Sequence, residues 1–456
     1  MSTCVNLDLA DIQAIVLRGF RYDDGLPHAY FGFVSFPNTE SARAFVADLL
    51  PLVASCHSWD EGIGEFVLNL GFSPEGLQAL DPAIDIHGFP KAFVDGMASR
   101  AKILGDIGTS APDHWQKGYQ STEVCATVFL QAKTPEGIEA GKARMEEAMG
   151  KAPGVRLVFD EAGNAFPGKH PASEHFGFVD GIGQPFVEGS GLTPYPGEGT
   201  PEADGTWSPI KAGSFVLGFV DEFGNNNYPD APFKNGSYIA FRKLHERVAA
   251  FREFTAQMAA AGSGDEEYEA ARLIGRWRSG APLDLANEVD DVALAEDWNR
   301  NNNFRYSDDA AGLKCPHGAH ARRGNPRADP TGPTLQQVRE HRIIRHSIPY
   351  GPYLPEGAPD DGAERGIYFM VINASPEHQF EYVQQNWMNG TLSSTALSTE
   401  IDLDPIVGAN QGDGKFVAPG VEQPTIGWGL QRFVDVRGGT YMFMPSLTTL
   451  KTLAGS

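Results

Sequence analysis

The sequence predicts an α+β fold: helices layered on antiparallel sheet, in two halves of similar element content. Runs of β-type alternation are interleaved with runs of helical period along the chain. Gly- and Pro-rich punctuation keeps these runs short. No letter-by-letter repeat is present, but the style of residues 1–188 returns in 189–456, and the boundary between halves is placed there.

In the first half, DIQAIVLRGFR and HAYFGFVSF read as two strands joined through DDGLP. A helix is predicted from Thr39 to about Leu50, capped by Asn38 or Thr39 and closed by Pro51. KAFVDGMASRAKILG reads as a helix and EVCATVFLQAK as a strand. TPEGIEAGKARMEEAMG follows as a long helix with Thr134 as N-cap and Pro135 at its first position, then RLVFDEAGNAF as a fourth strand or hairpin. Residues 189–209, rich in Gly, Pro, Thr and Glu, read as a surface loop. In the second half, strands are expected at GSFVLGFVD, GSYIAFRKL, HRIIRHSI, RGIYFMVINA and GTYMFMPS. Helices are expected at HERVAAFREFTAQMAAA, DEEYEAARLIGRWRSG and PEHQFEYVQQNWMN.

The length of 456 residues exceeds a single core. With 36 Lys+Arg against 59 Asp+Glu, the formal charge of −23 opposes nucleic acid and anionic membrane surfaces, so neither is an expected partner. Cys4, Cys56, Cys125 and Cys315 lie far apart, which predicts free thiols rather than a disulfide framework or a zinc knuckle. MSTCVNLDLADIQ has no basic segment followed by an apolar core, so the chain as given reads as soluble and cytoplasmic. Sequons at Asn235, Asn373 and Asn389 keep open the alternative of a mature secreted form.

Three stretches concentrate chemistry. FGFVDGIGQP holds Asp180 among Gly177, Gly181 and Gly183, so an acid or base sits where backbone can approach a ligand; a plain Asp-Gly turn is the structural alternative. CPHGAHARRGNPR places His317 and His320 in a cluster with Arg322, Arg323 and Arg327. Imidazole is the commonest side-chain metal ligand, and guanidiniums grip carboxylates, so a haem with two propionates fits. A non-haem iron on His317, His320 and a carboxylate fits too, as does a solvated basic loop. HRIIRHSIPYGP sets Arg345 behind an apolar pair, where its charge can point into a pocket or snorkel to water.

Taken in this order, the three stretches resemble the signature segments of the dye-decolourising peroxidases, haem enzymes with a G-x-x-D-G motif. GRWRSGAPL, RGIYFMVI, QQNWMNG, DPIVG and RFVDVRGGTYMFMPS extend the resemblance over most of the chain. It is strongest from about residue 155 onward and closest to the long subgroup of fungi and some bacteria, while residues 1–120 match in style only.

The resemblance implies two ferredoxin-like halves, the first carrying the G-x-x-D-G motif and the second holding most of a heme b (iron protoporphyrin IX). It implies use of hydrogen peroxide to oxidise bulky aromatic donors, dyes and phenolics, through a high-valent iron-oxo state. By position, Asp180 matches the distal acid, Arg345 the distal arginine and His320 the proximal iron ligand, while His317 departs from the apolar residue usual at its place. Asp404 matches the carboxylate behind the proximal histidine, Arg322 a propionate contact and Phe369 a distal-pocket apolar residue. Tyr350 and Trp387 are comparable with surface electron-transfer sites of some relatives. Because an aspartate stays a base well below the pKa of histidine, turnover of bulky donors is expected to favour acid pH. A haem-binding or haem-handling protein with incidental peroxide activity is the alternative class.

Overall fold

The computed structural model describes residues 5–21, 24–230, 232–394 and 399–455; Cys4 lies outside them. Eight strands form one sheet: β1 (His28–Ser35), β2 (Val67–Phe72), β3 (Ala126–Ala132), β4 (Arg156–Asn164), β5 (Ser237–Glu246), β6 (Ile344–Tyr350), β7 (Gly366–Asn373) and β8 (Val434–Met444). The order is β4-β1-β3-β2-β8-β5-β7-β6, with every pair antiparallel. Numbered within its own half, each set of four runs 4-1-3-2, the order of a ferredoxin-like β-α-β-β-α-β unit. In the ladder the two half-sheets are joined by a single residue pair, Phe72 opposite Phe443.

The outer strands β4 and β6 also lie together. A Cβ on Gly163 would come within 2.8 Å of Ile348 Cγ2 and 2.9 Å of the Pro349 carbonyl, so only glycine permits this approach. The sheet therefore curls back on itself. Its inside holds Phe31, Phe33, Phe129, Phe241 and Tyr368, and a second core lies between its outer face and the helices. Both faces of β1 are buried, which explains the nearly continuous apolar run in HAYFGFVSF.

In the first half, α1 (Thr39–Leu49) connects β1 to β2 and α2 (Pro135–Lys151) connects β3 to β4. Their starts follow local chemistry: Asn38 accepts from Ser41 N, and Thr134 accepts from Gly137 N with Pro135 next. In the second half, α3 (Val248–Ala261) follows β5, and the chain then makes a long excursion before β6. That excursion carries α4 (Glu266–Ile274), ended by Gly275 at φ 95°, and the short α5 (His320–Gly324).

Several expected elements take other forms. DIQAIVLRGFR is not a strand: Ala14–Leu17 form one helical turn, buried on every side, held by Gln13 Nε2 donating to the Leu70 and Pro445 carbonyls. KAFVDGMASRAKILG breaks at Gly96, whose φ of 76° splits it into Lys91–Asp95 and the turns from Met97 to Leu104. GSFVLGFVD holds only a 3₁₀ turn at Ala212–Ser214; Phe215 and Val216 pack into the core inside the curled sheet instead of pairing as a strand. PEHQFEYVQQNWMN is π-helical over Glu377–Glu381 and Val383–Met388. The 189–209 segment is not all surface, since Ser190 and Glu198 are buried and Glu198 pairs with Arg21 at 2.7 Å. Asn235 and Asn373 are also buried, donating to Asp11 Oδ2 and the Val371 carbonyl, so the folded chain leaves no room for a glycan at either. Among the described residues no helix is long and apolar enough to cross a membrane.

Candidate active site

Strand periodicity builds one wall of an interior cavity of about 250 Å³. Arg242, Leu244 and Glu246 of β5, Ile367 and Phe369 of β7, and Val434 and Val436 of β8 alternate along their strands and face it together. Alternation also sorts β6: Ile344, His346 and Ile348 are buried on one side, while Arg345 and Ser347 stand on the other.

The loop after β4 brings Asp180 to these two. Gly177 and Gly181 adopt φ of 97° and 83°, values that suit glycine, and Ser173 and Val179 pair to close a tight hairpin. Asp180 Oδ1 accepts from Gly181 N at 2.7 Å and from Arg345 Nη2 at 3.0 Å, and Oδ2 accepts from Ser347 Oγ at 2.8 Å. Gln184 stitches the loop to β6, donating to the Arg345 carbonyl at 2.6 Å and accepting from Arg345 N at 3.1 Å. Burial alone would raise the Asp180 pKa. The Arg345 charge, with the Gly181 N–H and Ser347 hydroxyl, outweighs it and holds the carboxyl below its ordinary value. Asp180 is therefore an ionised base that faces the cavity.

His320 opens α5 and also lines the cavity. Its Nδ1 lies 3.0 Å from Asp404 Oδ2 and 3.2 Å from Oδ1. Asp404 is buried, and its Oδ1 accepts from Ile406 N at 2.9 Å and Val407 N at 2.8 Å. Burial opposes its charge, but the imidazole and these N–H groups keep it ionised. The carboxylate in turn raises the His320 pKa against the effect of burial. With Nδ1–H committed to Asp404, the Nε2 lone pair is the one free to bind a metal.

His317 stands apart. It is buried away from the cavity, with Nε2 3.1 Å from the Ala310 carbonyl. The non-haem alternative needed both histidines and a carboxylate at one point, and no such cluster of three occurs among the described residues.

Arg322 is a correction. It points away from the cavity, with Nε on Asp329 at 2.5 Å, Nη1 on Asp309 at 3.1 Å and the Cys315 carbonyl at 2.7 Å, and Nη2 on the Asp309 carbonyl at 3.0 Å. All three nitrogens already have oxygen partners and two buried carboxylates balance the charge, so Arg322 is not placed to grip a propionate in the cavity. Instead Arg276, Arg327 and Arg342 line the cavity, all buried and none within ion-pair distance of a carboxylate among the described residues. Their visible partners are mostly neutral oxygens, such as Asn302 Oδ1 at 2.7 Å from Arg276 and 2.6 Å from Arg327. Burial, then neighbouring guanidiniums, pushes Arg276 down to about 9 and Arg342 to about 10; burial does the same to Arg327, also to about 10. Arg327 also holds a φ of 39°, a left-handed conformation costing on the order of 1–3 kcal/mol outside glycine. Three buried cations without counter-charge fit a ligand bearing carboxylates.

Tyr350 and Trp387 are not at the surface; each is only 7% exposed. Tyr350 lies under Lys243, and Trp387 packs edge-on to His341 and Tyr382.

The description of a DyP dimeric alpha+beta barrel domain matches residues 55–163, and that of the Dyp-type peroxidase C-terminal domain matches 203–401. Peroxidase 2 of Mycetinis scorodonius is 31% identical, over 98% of this chain and 88% of its own. The chain belongs to the dye-decolourising peroxidase family. AauDyP1 of Auricularia auricula-judae, a dye-decolorizing peroxidase, is 30% identical over 98% of this chain and 87% of its own. An ancestral D-type dye decolorizing peroxidase superposes with a TM-score of 0.84 at 28% identity, covering 98% of this chain and 99% of that one. A dye-decolorizing peroxidase in complex with 2,6-dimethoxyphenol gives 0.82 at 29% identity, covering 98% and 100%. Dye-decolourising peroxidases are haem enzymes, and this one is a peroxide-dependent oxidoreductase.

Proposed function

We propose that this peroxidase reduces hydrogen peroxide at a heme b in the central cavity and oxidises bulky aromatic donors, dyes and phenolics. The observation that carries the reading is the convergence of the Asp180–Arg345 and His320–Asp404 pairs on a cavity that also holds three uncompensated guanidiniums. None of the described cysteines lines the cavity, which favours a non-covalently held heme b over a thioether-linked one. The phenolic complex of a relative supports phenolic donors.

Bound there, the haem iron supplies the redox chemistry that breaks the O–O bond. His320 would hold it through Nε2, with Asp404 fixing the ring and raising its basicity. Arg276, Arg327 and Arg342 would grip the propionates. Asp180, ionised, would take the proton from one peroxide oxygen and return it to the other. Arg345 would direct its N–H groups at the developing negative charge, while Ser347 and the Gly181 N–H keep the carboxylate in one orientation. The ligand and propionate groups all lie in 189–456 and Asp180 in 1–188, so the division of labour between halves belongs to the same proposal.

The test is the absorption spectrum before and after one equivalent of peroxide, alongside His320→Ala. A Soret band that shifts on peroxide addition, and is lost or greatly weakened in the variant, is expected. A colourless protein after haem supplementation refutes the reading, and so does a wild-type Soret band that peroxide leaves unmoved.

A further inference from the structure

Two carboxyl groups of the cavity wall have no task in the chemistry above. Glu246 ends β5, and Glu174 lies in the hairpin that presents Asp180; both line the same cavity. Each is already gripped by backbone: Glu174 accepts from Phe176 N at 2.6 Å and Phe178 N at 2.7 Å, and Glu246 from His175 N at 3.1 Å. Glu246 therefore reaches the residue next to Glu174, and both carboxyl groups stand in the same stretch of the wall. Ionised carboxylates only accept, so two held this close can bond to each other only through a proton on one of them.

The surrounding charges give no reason for both to ionise. Arg278, nearest Glu174, is bound to Glu267 at 2.6 Å and to the Phe176 carbonyl. Arg345 is committed to Asp180, and Arg365 to Asp361 at 2.6 Å. His175 is kept neutral by burial, its pKa lowered to about 4, and Tyr350 retains its proton. Asp180 adds a negative charge to the same wall. Burial, followed by mutual repulsion for Glu246, pushes Glu174 up to about 7 and Glu246 well above the carboxylate range.

Peroxide reduction consumes protons: H₂O₂ + 2 H⁺ + 2 e⁻ → 2 H₂O. An aromatic donor too large for the cavity gives up its electron outside and leaves its proton in solvent, so the protons reach the reacting oxygen through the protein. We propose that Glu174 and Glu246 share one proton and supply it, by way of Asp180, to the oxygen that leaves as water during donor oxidation. The pair is then a dianion until it regains a proton from solvent. Its destination rests on the haem-peroxidase reading; its existence does not.

The test uses the haem-loaded full chain with Glu246→Gln and Glu174→Gln, which keep size and polarity but cannot share the proton. Infrared difference spectra of wild type against each variant near neutral pH are expected to show a D₂O-sensitive carboxylic-acid band that either single change removes or shifts, over the constant background of other buried acids such as Glu198 and Asp106. Dye turnover should fall by about a hundred-fold, the low end for a positioned proton donor, and Glu246→Asp should restore part of it. The peroxide-driven Soret shift should change far less, by about three-fold or under. Difference spectra with no change in the carboxylic-acid region for either variant overturn the shared proton. Unchanged dye turnover in both, with a normal Soret shift, overturns the proton store alone, whereas a wild type with no Soret shift sinks the haem reading. Should Glu246→Gln fail to fold, Glu174→Gln carries the same comparison.

Discussion

Replacing Arg345 by leucine separates two effects that the structure assigns to one side chain. The guanidinium donates to Asp180 Oδ1 at 3.0 Å. With charge centres about 4 Å apart, the attraction is about 4 kcal/mol at an effective dielectric of about 20. Both side chains are partly exposed, 28% and 26%, so solvent screening leaves roughly 1–2 kcal/mol. The sign is fixed by Asp180, whose folded pKa is depressed: it accepts a proton above its pKa and loses that ability as pH falls through it. Without Arg345, burial dominates, and the acid limb of the peroxide reaction moves to higher pH. At neutral pH the carboxylate is still ionised, so the remaining loss reflects the missing donor to the transition state, about 3 kcal/mol or about 10²-fold. Stopped-flow measurement of the second-order rate constant with peroxide, at the Soret band and across the acid range, reads both. The backbone of residue 345 stays pinned by Gln184, so the variant is expected to fold. An unmoved acid limb, or a neutral-pH rate within about three-fold of wild type, refutes the reasoning.

Stability should carry the mark of the carboxyl pair: Glu174 binds its proton more tightly folded than unfolded, so its contribution is complete below about pH 4.5 and is lost as pH rises to about 7. The span is worth about 3 kcal/mol at most, and denaturant titrations should show Glu174→Gln flattening that slope; an equal slope in both proteins removes the assignment. Trp387 is buried 5.8 Å from His341, which stacks on Tyr382 at 3.4 Å, so Trp387→Phe is expected to slow a bulky anthraquinone dye and spare a small donor. Equal rates on both substrates would take Trp387 out of electron transfer. Tyr350→Phe removes a hydroxyl with no hydrogen-bond partner, so the same dye comparison can be made with little cost in stability.

Much of the fold was legible because its signals are local. The Asn38 and Thr134 caps and the short aromatic and β-branched apolar runs in GSYIAFRKL and RGIYFMVINA need no tertiary information. Misreadings fell where apolar residues answer to a distant partner. Ala14–Leu17 is apolar on every side because it is packed from every side, so neither helical nor strand period shows. FVL in GSFVLGFVD looks like a strand because it is buried, yet Phe215 and Val216 pack inside a curled sheet whose closure brings Gly163 against Ile348.

The candidate site was legible where short motifs carry it and obscure where the fold assembles it. Asp180, Arg345 and His320 could be found in contiguous stretches. Arg322 shows what contiguity hides. Two positions after His320 on a helix, it is turned well away from the face that His320 presents, since neighbours on a helical face are three or four apart. The spacing thus argued against both residues serving one cavity before any coordinates did. Ser347 was equally open to inference, because a strand that points Arg345 at Asp180 must point its second neighbour the same way. Arg276, Arg342, Glu174 and Glu246 carried no such signal. They come from a turn after α4, the approach to β6, a hairpin loop and the end of β5, and only the closed fold reveals three arginines without counter-charge and two glutamates brought into one buried wall. The unpaired charges are what the linear pattern cannot show, since pairing is a property of the assembled interior. They are also what turns a cavity into a site with a defined ligand charge and a defined supply of protons.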